Sequence, residues 1–159
     1  MAEAFFQGEF RRAVDDRFRL SLPGELLVGL DGEPPEVILA KERLGCLSLW
    51  PARQWQQRLE GDVALIRDKI RAGRMDGRLD DVQRLGRLLS TRQRSVKLAG
   101  RGRLVLPEGF REFLRVEPGG ELMVIGAAIC IELWHPDAWL SYLKRNMPKF
   151  RRLYDQLAS

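Results

Sequence analysis

The chain has 159 residues, 45% hydrophobic and 31% charged, and its 27 Lys and Arg against 22 Asp and Glu leave a net charge of +5. That length fits one domain or two small ones around a packed core; with no signal-peptide pattern and no apolar run of 18 residues, the expectation is a soluble cytosolic protein with no membrane partner. The positive excess permits a nucleic-acid partner without establishing one, and two cysteines with a single histidine are too few for a zinc site.

In chain order, "GEFRRAV" alternates loosely and predicts a strand, "DDRF" a turn opened by Asp15 and Asp16, and "RLSL" a second short strand. Pro23 ends that strand and suits the first turn of a helix, where its missing N–H costs nothing. "GELLVGL" then places Leu26 and Leu30 on one face. "EVILA" and "CLSLW" predict strands, and Pro51 heads the helix "PARQWQQRL". From about 60 to 91 the pattern is helical. Val63, Ile66 and Ile70 share one face, and Leu79, Val82, Leu85 and Leu89 another, with Gly73 and Gly77 between the two segments. This reads as an amphipathic pair packed on the domain, or as a hairpin for a partner. The strand-turn-strand-helix pattern then returns as "RSVKL", "AGRG", "RLVL" and "EGFREFL", in which Phe110 and Leu114 stack. "ELMVIG" and "ICIELW" follow as strands and "PDAWLSYL" as a helix. The tail "PKFRRLYDQLAS" predicts a last helix with Phe150, Leu153, Tyr154 and Leu157 as its stripe. It docks on the domain or a neighbouring subunit, or contacts nucleic acid through Lys149, Arg151 and Arg152.

The return is a duplication. Pro23 and Pro107, Cys46 and Cys130, Trp50 and Trp134, and Trp55 and Trp139 are each 84 positions apart. Without a gap, Arg17–Leu59 and Arg101–Leu143 share 13 identities in 43 positions, Glu33 and Pro34 among them, where average composition gives about three by chance. The predicted organisation is a first repeat at 1–60, a helical connector at 61–91, a second repeat at 92–145 and a C-terminal helix at 146–159. Strands this short cannot bury a core alone. Two interlocked β-β-α-β-β-α units can, so the expected fold is α+β, mainly β, a pseudo-twofold β-barrel with a helical insert. The cysteines lie inside apolar strands and read as packing residues.

Catalysis finds no support. His135 has no counterpart in the first repeat, lacks an orienting partner and a nucleophile, and reads as a helix-start residue. "GRGRLVLPEG" lacks the lysine and Ser/Thr of a phosphate loop. No catalytic residue, metal or cofactor is expected. The hairpin tips are richer. Arg92–Arg103 holds Arg92, Arg94, Lys97, Arg101 and Arg103 with no acid, and its counterpart at 11–19 holds Arg11, Arg12, Arg17 and Arg19 against Asp15 and Asp16. A two-stranded ribbon fits the DNA major groove and arginine bonds guanine bidentately. Charge alone leaves DNA binding and a solvated loop equally open.

These tips carry a resemblance. An Asp-x-Lys-Gly-Arg turn feeding a short apolar strand that stops at proline, once per repeat, is the hallmark of the MraZ family. Here the copies read Asp15-Asp16-Arg17-Phe18-Arg19 then "LSLP", and Ala99-Gly100-Arg101-Gly102-Arg103 then "LVLP". "CLSLWPARQW" and "IELWHPDAW" resemble the family's strand-then-tryptophan closures, and the similarity runs over nearly the whole chain. The copies depart from the hallmark at Phe18 for glycine, at Ala99 for aspartate, and in arginine for lysine at both tips. The resemblance implies two SpoVT-AbrB-like, swapped-hairpin repeats forming one pseudo-dimeric barrel, homo-oligomeric rings, and hairpins that bind repeated promoter boxes in double-stranded DNA. It implies a cytoplasmic, nucleoid-associated repressor of division and cell-wall genes. Arg17, Arg19, Arg101 and Arg103 would meet DNA, Lys97 would meet phosphate, and Asp15 would brace its turn. The alternative is a non-enzymatic interaction module that keeps the assembly and has lost specific DNA binding.

Overall fold

In the computed structural model, which describes residues 4–32 and 34–159, the duplication is a physical symmetry. Residues 1–3 of the first repeat and Glu33, one of the repeat identities, lie outside the described residues. The first repeat supplies β1 (Phe6–Ala13), β2 (Arg19–Ser21), α1 (Gly24–Leu27), β3 (Glu36–Arg43), β4 (Cys46–Pro51) and α2 (Ala52–Arg71). Next come α3 (Leu79–Arg92), β5 (Gln93–Lys97), a 3-10 turn at Gly100–Gly102, β6 (Arg103–Val105) and α4 (Phe110–Leu114). β7 (Glu121–Ala128), β8 (Ile131–Trp134), α5 (Pro136–Asn146), a 3-10 turn at Met147–Lys149 and α6 (Phe150–Ala158) complete the chain. Pro51 stands as N-cap of α2, and His135 caps α5, its Nδ1 accepting the Asp137 N–H at 3.1 Å.

The antiparallel strands form an open six-stranded sheet in the order β1-β7-β8-β4-β3-β5 and a separate ribbon of β2 with β6. The fold is α+β, as expected. The barrel is not closed by hydrogen bonds; the ribbon lays Leu20 and Leu104 into the same core as the inner face of the sheet. Each repeat gives its opening hairpin to the other, β1 to β7 and β5 to β3. β2 pairs with β6 so that Leu20 faces Leu104, and β4 pairs with β8 so that Ser48 faces Glu132. Both pairs are 84 positions apart, so a residue meets its own repeat copy at two places, and a pseudo-twofold axis must pass through both. "RLSL" and "RLVL" are therefore equivalent strands.

The correspondence is not gapless, as the sequence alone suggests. Val37 and Leu39 enter the core on β3, and Leu122 and Val124 on β7, an offset of 85. The extra residue lies in the Pro118–Gly120 turn and is recovered in the β7–β8 hairpin. No identity falls between Pro118 and Cys130, so sequence matching does not register the slip.

The outer face of the sheet holds two smaller clusters that are copies of each other. Ile38, Ala40, Trp50, Trp55 and Cys130 form one, and Met123, Ile125, Trp134 and Cys46 the other, with Trp139 and Tyr142 packed against it. The cysteines are exchanged between repeats like the strands. Both are buried and free, and burial pushes their thiols well above the ordinary range, consistent with packing. The tryptophan pairs close with centroids 5.7 and 5.2 Å apart. α2 runs on past residue 60 without a break, so the helix that closes the first repeat also becomes the first arm of the connector.

Glu132, on the axis, is a half-buried carboxylate in the middle of the sheet. Burial raises its pKa, with the nearby Glu42 adding to the effect, while a hydrogen bond from the Trp134 indole opposes it at 3.0 Å. A raised folded-state pKa contributes stability that is full below the ordinary glutamate value and lost as pH rises through the raised one. Glu132→Gln keeps an acceptor for Trp134 and removes the half-buried charge. Its melting temperature is expected above that of the parent at pH 7.5, with the gap shrinking as pH falls to 4. An equal gap at both pH values would show that the charge is not the cause.

Candidate nucleic-acid interface

The β2–β6 ribbon is short because each strand is bounded by a tip and a proline, and its alternation sorts its side chains. Leu20 and Leu104 point inward, and Arg19, Ser21, Arg103 and Val105 are exposed. Arg19 lies opposite Val105 and Ser21 opposite Arg103, so the two arginines are diagonal neighbours on one surface. The strands are antiparallel, which puts the two tips at opposite ends. Phe18 bonds across to Leu106 and Leu22 to Gly102, which separates the ends by about 13 Å at the usual strand rise.

The tips are built differently. In the first, Asp15 Oδ1 accepts the backbone N–H groups of Arg17 and Arg19, each at 2.8 Å, and Oδ2 accepts from Arg19 Nε at 2.7 Å. The Arg19 backbone N–H leads the interactions that hold this carboxyl below the usual carboxylate range, joined by the guanidinium. In the second tip Ala99 has no side-chain acceptor. The backbone frame is shared: Ala99 donates to the Arg103 carbonyl at 2.9 Å and Gly102 to the Ala99 carbonyl at 3.1 Å, as Asp15 donates to Arg19 and Phe18 to Asp15, but the Arg103 N–H turns to the Ala99 carbonyl at 3.3 Å where Arg19 finds the Asp15 carboxylate. Arg103 Nε reaches only the Gly100 carbonyl, at 3.4 Å. Arg19 is thus tied to a carboxylate and Arg103 is not.

Phe18 and Gly102, equivalent positions, both take a left-handed backbone, φ 58° and 69°. This is strain for phenylalanine and none for glycine. The neighbours explain the exchange. A Cβ on Gly102 would meet Leu27 Cδ1 at 2.5 Å. The equivalent of Leu27 is Arg111, whose guanidinium lies 4.1 Å from the centre of the Phe18 ring. A small residue under a leucine in one repeat is matched by a ring under a guanidinium in the other. Arg101 is also left-handed, φ 64°, and stands out at its tip.

The structure gathers Arg17, Arg19, Arg101 and Arg103 on the ribbon and its ends. Lys97 is not among them. It is exposed, opposite Glu36 at the end of β5, on the sheet face that carries Trp50 and Trp55. Arg12, part of the basic stretch at 11–19 but not among the residues expected to meet DNA, joins the arginines instead. It lines a shallow depression with Asp15, Arg19, Ser21 and Arg103, and an adjoining one is lined by Ser21, Gly100, Arg101 and Arg103. The period-two alternation that buries Phe6 and Val14 puts Arg12 on the ribbon side of β1, and that was the available signal. Among the described residues, no cluster of three metal-ligating side chains occurs and no helix is long and apolar enough to cross a membrane.

The class defined by these features is a two-repeat, exchanged-hairpin α+β protein with a basic ribbon on the face away from α2 and α5. Residues 91–155 match the family described as "MraZ protein, putative antitoxin-like". Similarity to relatives extends further. "Transcriptional regulator MraZ" of Heliobacterium modesticaldum (strain ATCC 51547 / Ice1) is 26% identical over 153 residues, 96% of either chain. The proteins of that name from Clostridium beijerinckii (strain ATCC 51743 / NCIMB 8052) and Thermomicrobium roseum (strain ATCC 27502 / DSM 5159 / P-2) are 24% identical over 89% and 27% over 84% of either chain. The chain is thus similar to the MraZ family model over its second repeat and to proteins named for that family over most of its length.

Proposed function

We propose that this protein is a sequence-specific, DNA-binding transcriptional regulator that represses division and cell-wall genes in the cytoplasm, acting through the arginines of its β2–β6 ribbon. The observation that carries the reading is the convergence of Arg19, Arg101, Arg103 and Arg17 from two repeats on one exposed ribbon. The guanidinium groups of Arg17 and Arg101 make no ion pair or hydrogen bond among the described residues, which leaves them free for a ligand. The ribbon's length, about 13 Å by strand rise, is comparable to the width of a major groove, about 12 Å. The names of the relatives favour regulation of transcription.

In this reading Arg17 and Arg101 approach base edges from the tips. Arg103 is the freer of the strand arginines, and Asp15 braces Arg19. Lys97, apart from the ribbon, adds a phosphate contact at the flank. Copies joined in a ring present many hairpins at once, so weak single contacts sum over repeated boxes through effective concentration.

A gel shift on the DNA upstream of the protein's own operon, with scrambled duplex as competitor, tests it. Specific retention is expected, and log affinity should fall against log salt with a slope of about −0.9 for each phosphate neutralised. Equal retention of the scrambled duplex would favour the interaction module.

A further inference from the structure

One side chain on the ribbon is out of keeping with its surroundings. Val105 is 49% exposed, and among the described residues it is the one large apolar side chain exposed within a strand. Leu20 and Leu104 take the inner face of the ribbon, so its outer face consists of Arg19, Ser21, Arg103 and Val105. An exposed valine is ordinary by itself. This one sits between two arginines, on the surface that would face a duplex.

The duplication shows that the strand does not require it. Eighty-four positions earlier, the same place in β2 is held by Ser21, which keeps the same pairing with a hydroxyl in place of the apolar branches. The fold therefore does not impose the difference between valine and serine. That difference makes the two ends of the ribbon unlike. At one end Val105 stands opposite Arg19, whose guanidinium is tied to Asp15 at 2.7 Å. At the other Ser21 stands opposite Arg103, which reaches only a carbonyl at 3.4 Å. Ser21 lines both shallow depressions beside the ribbon, and Val105 lines neither. One end offers an apolar branch beside an engaged arginine, the other a hydroxyl beside a released one.

The major groove has a group that fits the first end. Thymine alone carries a methyl group there, and apolar side chains recognise it by contact. We infer that Val105 covers the C5-methyl of a thymine in the bound box, and that Ser21 makes no such demand at the other end. The inference rests on the DNA reading above and adds a base that the arginines do not specify, since they act through hydrogen bonds and charge. Val105 and Arg103 are two residues apart on one strand, about 7 Å. Base pairs rise about 3.4 Å each, so the thymine lies about two base pairs from the base nearest Arg103.

Uracil isolates the methyl, because it keeps every hydrogen-bonding group of thymine. The probe is the duplex from upstream of the protein's own operon, shortened to the least that is still retained specifically, with its thymines replaced by uracil one at a time. The full chain is expected to lose about fourfold in affinity at one thymine, the worth of one buried methyl group, and little at the others. Val105→Ser copies the residue of the twin strand and should bind the thymine and uracil duplexes alike. Val105→Thr keeps one methyl branch and should keep the preference for thymine. Ser21→Val should create a second uracil-sensitive position. The ratio of thymine to uracil affinity is read within each variant, so a smaller folded fraction cancels from it.

A parent that prefers the upstream duplex to scrambled duplex but ignores uracil at every thymine would overturn the inference and leave the DNA reading standing. A uracil effect that survives unchanged in Val105→Ser would overturn it too, because another side chain then meets the methyl. A parent with no preference for the upstream duplex removes the DNA reading, and the methyl contact falls with it.

Discussion

Arg17→Ala with Arg101→Ala is expected to lose most of the affinity for specific boxes while the mass of the assembly stays unchanged. A well-made arginine–guanine contact discriminates by about 1–3 kcal/mol, and both hairpins lose one. The deficit multiplies across the copies that engage one promoter. Binding to random duplex should fall less, because only the phosphate share of the contact is removed. Lys97→Ala is the matching control. It stands off the ribbon, so specific and random duplex should weaken alike. Fluorescence titration with both duplexes at one salt concentration measures the difference. Unchanged affinity in an intact assembly would show that the tips do not read DNA.

Trp134→Ala is expected to cost about 3–5 kcal/mol of stability, a fall in melting temperature on the order of 10 °C for a chain of this size. The side chain is 2% exposed. Its ring packs at 5.2 Å from Trp139 and 5.0 Å from Tyr142, the Arg43 guanidinium lies 5.5 Å from its centre, and its indole N–H bonds Glu132. Truncation opens a cavity and also strips the half-buried Glu132 carboxylate of its donor. Trp139 is only half-buried and should cost less. Calorimetry of both variants at neutral pH checks the order, and equal losses would show that burial on the axis side is not what sets the cost.

Much of this fold is legible in the sequence because duplication writes its landmarks twice. Prolines, tryptophans and cysteines keep their spacing because each is pinned by a covalent or packing constraint: proline at a helix head, tryptophan and cysteine in the outer-face clusters. The strands and their turns follow from alternation and from Asp15, Asp16 and Gly102. What sequence does not display is partnership. Nothing local tells β1 to join β7 and not β3, since exchange and self-pairing use the same alternation. The one-residue slip at β7 is hidden because no identity falls between Pro118 and Cys130.

The candidate site shows the same division. The four ribbon arginines are visible as a charge pattern, and the bonds from Arg17 and Arg19 to Asp15 follow from residues two and four apart at a turn. The place of Lys97 depends on which face of β5 meets β3, a tertiary fact. Phe18 reads as strain in the sequence, and only the structure supplies Arg111 above it, 93 residues away. Arg12 enters the ribbon's surroundings for the same reason, through a strand pairing with the other repeat.

The pairs on the pseudo-twofold axis carry a consequence for the chain's ancestry. In a homodimer, whatever residue sits on the axis must face an identical residue. A glutamate at the place of Glu132 would confront another glutamate across adjacent strands, and like charges directly opposite are destabilising. Two serines there would each accept from a tryptophan indole, as Ser48 accepts from Trp50 at 2.9 Å, but neither half could then carry the carboxylate that Trp134 bonds. Covalent fusion of the halves removes that constraint. Ser48 and Glu132 can differ, as can Gly102 with Leu27 and Phe18 with Arg111. One half is then free to drift while its twin holds the shared architecture, and the two hairpins can specialise: one with its arginine tied to a carboxylate, the other with its arginine released.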